Sequence, residues 1–268
     1  MPSALFEPDD DLYVPTELTR GGWSDNAQHG SPPCGLLGRA LESLPTAVPM
    51  QVVRFTVDLF REVPLRPLRV ETDVIRDGKR IQVAEARLWA GDVQVGRATS
   101  LKIRTDEIDD DEIVGTAGPQ VPPRPDPESL TELHWRDHFG LDESLLRFHT
   151  DAVEIRSVDD SFLKATPGES WFRLKAALVA GEEMTPFQRA AVATDLANGN
   201  AQALDPKRWL YVNPDNTLYL HQLPDGEWIG MRSVAHQFRT GIGVTETQLY
   251  DRQRRIGHIS QAQLIDRR

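Results

Sequence analysis

Asp195 is the residue of this chain best placed to do chemistry. It lies on Pro186–Ala203, PFQRAAVATDLANGNAQA, where Phe187, Ala190, Ala191 and Thr194 recur at helical spacing and form a small, mostly apolar stripe. Thr185-Pro186 supplies a capping hydroxyl and a first-turn proline, and Asn198-Gly199-Asn200 supplies the exit. A carboxylate at the edge of a packed stripe is costly unless it is paired or used. A solvated helix face is the competing explanation. Burial among alanines would raise its pKa by desolvation and let it take a proton from water.

Three other groups compete for a role. His29 stands before Gly30-Ser31-Pro32-Pro33, where Ser31 can cap and the prolines can open a helix, Cys34–Leu44. A turn role for its imidazole competes with a catalytic one. Gly35 and Gly38 make that helix poor by propensity, so close packing must support it. Cys34 could be a nucleophile, although a thiol at a buried helix start is more often a small core residue. His134 and His138 stand four apart, but Trp135 replaces the glutamate of HExxH and there is no third ligand, so no metal is expected. GxSxG, GxGxxG, Walker and CxxC patterns are missing, and no cofactor is expected.

The chain has 268 residues, a net charge of −11 and one cysteine. The acidic balance argues against nucleic acid as a partner. No run approaches the roughly 18 apolar residues of a membrane span. A lone cysteine and an acidic N-terminus without signal-peptide character fit a cytoplasmic protein.

The elements that must carry these groups come twice. After the first helix follow strand-like runs at Met50–Glu62, Leu68–Arg76, Arg80–Trp89 and Val93–Arg104. Residues 105–128 are acidic and proline-rich, a tether or surface loop. Leu130–Leu146 reads as partly helical. After the Asp195 helix, strands return near Trp209–Gln222, Glu227–Arg239, Gly243–Tyr250 and Arg255–Ile265. At an offset of 161, Ile81 meets Ile242, Val83 meets Val244, Glu85 meets Glu246, Thr56 meets Thr217 and Gly96 meets Gly257. The same offset carries Asp195 to Cys34 and Gln261 to Ser100. The pattern is α+β, a helix followed by a four-stranded antiparallel run, twice.

Taken together, QHGSPPCGLLGRALES, RFTVDLFREVPLRPL, RATSLKIR, TPFQRAAVATDLANG, ALDPKRWLYVNPDNTLYLHQLPDGEWIGM and LYDRQRRIGHISQAQL resemble the double-hotdog acyl-CoA thioesterases, closest to a thioesterase-like branch related to thioesterase II. The resemblance implies two fused hotdog domains, each a long helix wrapped by an antiparallel sheet: 1–104 and 150–268, with 105–149 as connecting segment. It implies hydrolysis of an acyl-CoA thioester to a carboxylic acid and free CoA, and a homo-oligomer of such chains. The family's aspartate falls on Asp195 and its glutamine on Gln261. Its threonine falls on Asn213, with Thr217 as a nearby candidate. Oxyanion donors are expected at the first helix start, Gly30, Ser31, Cys34 and Gly35, and CoA phosphates on Lys207, Arg208, Arg254 and Arg255. The Asn213 departure leaves open a non-catalytic acyl-CoA or lipid-binding protein, and His29 leaves open a hotdog hydratase or dehydratase.

Overall fold

The computed structural model describes residues 2–21, 24–109, 112, 124–134, 142, 144–158, 167–205 and 208–267. The first half runs β1 (Ala4–Asp9), β2 (Leu12–Pro15), α1 (Ser31–Glu42), β3 (Met50–Leu59), β4 (Leu68–Asp77), β5 (Ile81–Ala90) and β6 (Val93–Arg104). The second runs β7 (Val153–Ser157), β8 (Gly168–Leu174), β9 (Ala177–Val179), α2 (Pro186–Leu196), β10 (Trp209–Val212), β11 (Asp215–Leu220), β12 (Ile229–Gln237), β13 (Ile242–Tyr250) and β14 (Arg255–Arg267).

All fourteen strands among the described residues belong to one sheet, in the order β7-β8-β12-β13-β14-β11-β3-β6-β5-β4-β2-β1-β9, with β10 on β14. The central eight read β12-β13-β14-β11 and then, mirrored, β3-β6-β5-β4. The seam is the β11–β3 pair, in which Thr217 stands opposite Thr56. Register obeys the same repeat: Ile81 pairs with Ile103 and Ile242 with Leu264. At one outer edge the halves interleave, because β9 pairs in parallel with β1.

The helices lie antiparallel under this sheet and are held by glycine. A Cβ on Gly35 would come within 2.5 Å of Val192, and one on Gly38 within 2.7 Å of the Ala191 Cβ. The poor helix propensity of α1 is thus the cost of close helix–helix contact. Leu36, Leu37 and Leu41 are fully buried, each worth about 1.5–3 kcal/mol. Phe55 meets Phe187 edge-on at 5.8 Å between centroids. Residues Phe187, Gln188 and Ala190 to Leu196 are all buried, so α2 has no solvated face at Asp195.

Several expectations need correction. Trp209–Gln222 is not one strand, because the chain breaks at Asn213-Pro214 between β10 and β11. Of the stretch 130–146, residues 130–134, 142 and 144–146 are described and are not helical, the others lie outside the described residues, and a single π-helical turn follows at Phe148–Ala152. The offset of 161 holds for strands but not for helices. Counted from their first residues, Ser31 and Pro186, the helices are offset by 155, so the counterpart of Asp195 is Ala40, not Cys34.

Candidate active site

Asp195 is in the last turn of α2, 8% exposed, against the first turn of α1. A Cβ on Gly30 would stand 2.6 Å from its carboxylate carbon and both oxygens, so only glycine permits this approach. Pro32 and Pro33 start α1, and the positive end of its dipole faces the carboxylate.

Three side chains reach Asp195. Asn213 Nδ2 donates to Oδ1 at 2.6 Å, Asn216 Nδ2 donates to the same oxygen at 3.5 Å, and His29 Nδ1 lies 3.0 Å from Oδ2. Asn216 Oδ1 in turn accepts from Asn213 Nδ2 at 2.9 Å and from Gln261 Nε2. Burial pushes the Asp195 carboxyl up, but the hydrogen bond and charge of His29 and the donors of Asn213 and Asn216 more than reverse this, so it lies below the ordinary carboxylate range. The expected upward shift is therefore corrected. Buried among alanines alone the group would be a stronger base; surrounded by donors it stays ionised.

Of the expected residues, Asp195, Asn213 and Gln261 converge. Thr217 does not: its Oγ1 meets Thr56 Oγ1 at 3.3 Å at the seam. Successive strand residues face opposite sides, and the inward position belongs to Asn216, which is fully buried. Sequence reasoning passed over Asn216. It shares the parity of Leu218 and Leu220, and an amide on the apolar side of an alternating strand was the available signal. In the first half the same positions hold Phe55 and Ser100, so the polar centre is built once.

Cys34 is buried and accepts from Asn216 Nδ2 at 3.6 Å. Burial first, and then the charge of Asp195, push its thiol far above the ordinary range, which removes it as a nucleophile. The expected row of oxyanion donors is also reduced. Ser31 N–H lies 3.1 Å from His29 Nδ1, the nitrogen that also faces Asp195, Cys34 N–H donates to Gly30 O at 3.0 Å, and the two prolines have none. Gly30 N–H has no acceptor among the described residues, and Ser31 N–H competes with Asp195 for His29 Nδ1.

The basic residues form no single cluster. Arg254 and Arg255 lie at the start of β14, whereas Arg208 precedes Trp209, which pairs with Arg267 at its end. Thirteen residues at about 3.3 Å each separate them by about 40 Å. Arg254 is also 3.5 Å from Asp251. Lys207 and His138 lie outside the described residues.

The wall over His29 comes from the connecting segment. Phe148 packs its ring 4.9 Å from the imidazole, with His149 at 6.2 Å, and Phe148 N–H bonds to Arg20 O. Phe148 and His149 of the connecting segment thus stand against His29.

A family model described as the acyl-CoA thioesterase N-terminal domain matches residues 19–102, and one described as the acyl-CoA thioesterase C-terminal domain matches residues 119–265. The chain belongs to the acyl-CoA thioesterase family. It is a thioester hydrolase. No curated protein matches it significantly in sequence. Among solved structures, a Thermobifida fusca protein assigned as a thioesterase II aligns over 99% of this chain and 96% of its own, with 18% identity and a TM-score of 0.72. The hot dog fold protein of Alicyclobacillus acidocaldarius covers 99% and 96%, with 13% identity and a TM-score of 0.69. The acyl-CoA thioesterase II of Mycobacterium marinum covers 98% and 94%, with 14% identity and a TM-score of 0.64. These likenesses establish a hotdog-type fold. No helix among the described residues is long and apolar enough to cross a membrane.

Proposed function

We propose that this thioesterase hydrolyses acyl-CoA by direct attack of a water held between Asp195 and Gln261, with Asn216 joining the two. The observation that carries this reading is Gln261 Oε1, a fully buried acceptor without a partner among the described residues, in a side chain one hydrogen bond from Asn216 and two from Asp195. A buried amide oxygen left unpaired is costly unless a water or ligand meets it. A water giving one hydrogen to Gln261 Oε1 and the other to Asp195 would turn its lone pair outward.

As that oxygen bonds to the thioester carbon, its proton passes to Asp195 and the carbonyl π pair moves onto oxygen, where Gly30 N–H is the supporting donor. Collapse expels CoA as thiolate, which takes the proton back from Asp195. No covalent intermediate is needed, in keeping with the inert Cys34 thiol. The mirrored strand order supports two hotdog halves, 1–104 and 150–268, with the single polar centre between them.

A second reading has one specific observation in its favour. His29 and Asp195, 3.0 Å apart and from opposite halves, could serve proton transfer in a hydratase or dehydratase. Purified protein given saturated acyl-CoA, enoyl-CoA and a thiol reagent separates the cases. Release of CoA supports hydrolysis; hydration of the enoyl ester without CoA release supports the second reading; binding without either leaves a carrier.

A further inference from the structure

We infer that Gln237, Gln263 and Asn198 form a directional amide chain that fixes which end of each amide in the catalytic centre donates and which accepts. The inference rests on Asp195 and Gln261 being the water-binding pair proposed above. None of the three residues touches that pair, so they are positioning residues.

The direction is set by backbone groups that have no choice. Ala203 N–H and Leu204 N–H can only donate, and both reach Gln237 Oε1 at 3.1 Å. Gln237 Nε2 must then donate, and does so to Gln263 Oε1 at 3.0 Å. Gln263 Nε2 donates to Asn198 Oδ1. Asn198 Nδ2 donates onward to Asn213 Oδ1 at 3.0 Å and to the carbonyl of Tyr211 at 2.8 Å, a group that can only accept. With its oxygen held, Asn213 must turn Nδ2 toward Asp195 and Asn216. Asn216 Oδ1 is thereby an acceptor for Gln261 Nε2, and the last atom of the series, Gln261 Oε1, is an acceptor facing no donor among the described residues.

Room for the chain is built into the sheet. A Cβ on Gly243 would stand 2.6 Å from Gln263 Oε1, and Asn198 and Gln263 are 7% and 2% exposed. Without this chain Asn213 could rotate its amide and set an oxygen against the Asp195 carboxylate. Buried amide series of this kind polarise one another, so a fault at one end is felt at the other.

The ionisable groups facing Asp195 are His29 before α1 and Cys34 on it, with His149 behind the His29 ring; β11 and β14 present the neutral Asn216 and Gln261. A change in Asp195 titration caused by Gln263 or Gln237 therefore has to travel through amides.

The test is Gln263→Met, of matching length and without donor or acceptor, beside Gln237→Met, which lies at a half-exposed strand end and is the safer variant for folding. Three readouts are taken: acyl-CoA kinetics, thermal melting, and the carboxyl ¹³C titration of Asp195 without substrate. The expected result is a kcat loss of about tenfold for Gln263→Met with KM changed less than about twofold, and Asp195 titrating at higher pH in both variants. Folded variants with wild-type kcat and wild-type Asp195 titration would overturn the inference, as would lower melting temperatures with the titration unmoved. If the wild-type protein releases no CoA from any acyl-CoA, the hydrolytic reading fails, while the titration still decides for or against the amide chain.

Discussion

His29 Nδ1 stands 3.0 Å from Asp195 Oδ2, and the two residues come from opposite halves of the chain. The same nitrogen lies 3.1 Å from Ser31 N–H, which asks for a lone pair where the carboxylate asks for a proton. An ionised Asp195 wins that contest, since a charge-assisted bond is roughly twice as strong as a neutral one. The site thus depends on α1 and α2 being docked, and its charge state depends on this contact.

The pH dependence follows with a definite sign. In the proposed mechanism Asp195 works ionised, and its carboxyl lies below the ordinary carboxylate range, so kcat/KM should hold on the acid side until the pH falls below that ordinary range. The same group contributes folding stability above its unfolded value and loses it as pH drops through the folded one. His29→Gln removes the largest opposing cause, and the acid limb should move up. A limb that stays in place or moves down in that variant would show that His29 does not hold the charge.

Gly30→Ala tests the closeness of the approach. The added methyl would meet the carboxylate at 2.6 Å, so α1 or Asp195 must give way. Overpacking of this kind typically costs about 1–3 kcal/mol of stability. Turnover should fall by about 10²-fold through misplacement of the carboxylate. Steady-state kinetics with melting curves measure both, and an unaltered rate would place the reacting water elsewhere.

Asn216 and Thr217 are neighbours with opposite fates. Asn216→Leu leaves Gln261 and Asn213 without a shared acceptor, costing about 1–3 kcal/mol in stability. It should also lower kcat by at least about tenfold. Thr217→Val loses only the contact with Thr56 and should keep kcat within about twofold. The reverse order of effects would return the third site position to Thr217.

How much of this was legible in the sequence depended on whether the signal was periodic. The strand repeat was, because Ile81, Val83, Ile242 and Val244 keep their alternation and their partners. Gly35 and Gly38 announced helix packing through their poor propensity. The helix offset was hidden, because α2 starts six residues early relative to its strands and no sequence identity marks the shift. Asn213 was legible but Asn216 was not, since a chain break at Pro214 changes which residue of the run faces inward. Donors around Asp195 arrive from two distant segments, His29 before α1 and Asn213 with Asn216 around the start of β11, so its lowered pKa could not be read from the alanines beside it.

Cys34→Ala should retain full hydrolytic activity, and wild-type protein should resist thiol reagents while folded. The thiol is buried and pushed far up, and the methyl that replaces it loses only weak contacts with Thr194 and Asn216. A stability loss of about 1 kcal/mol is expected from the small cavity. Rapid inactivation of the native protein by a thiol reagent, absent in the variant, would give Cys34 a catalytic role after all.

The central claim is that Asp195 takes the proton of the attacking water. Asp195→Asn keeps the shape and the acceptor facing Asn213 and Asn216 while removing the base. Measured as CoA release in a single turnover with enzyme in excess, it should slow hydrolysis by about 10²–10⁴-fold with acyl-CoA affinity little changed. Release of CoA at the wild-type rate by a folded Asp195→Asn protein would contradict the account.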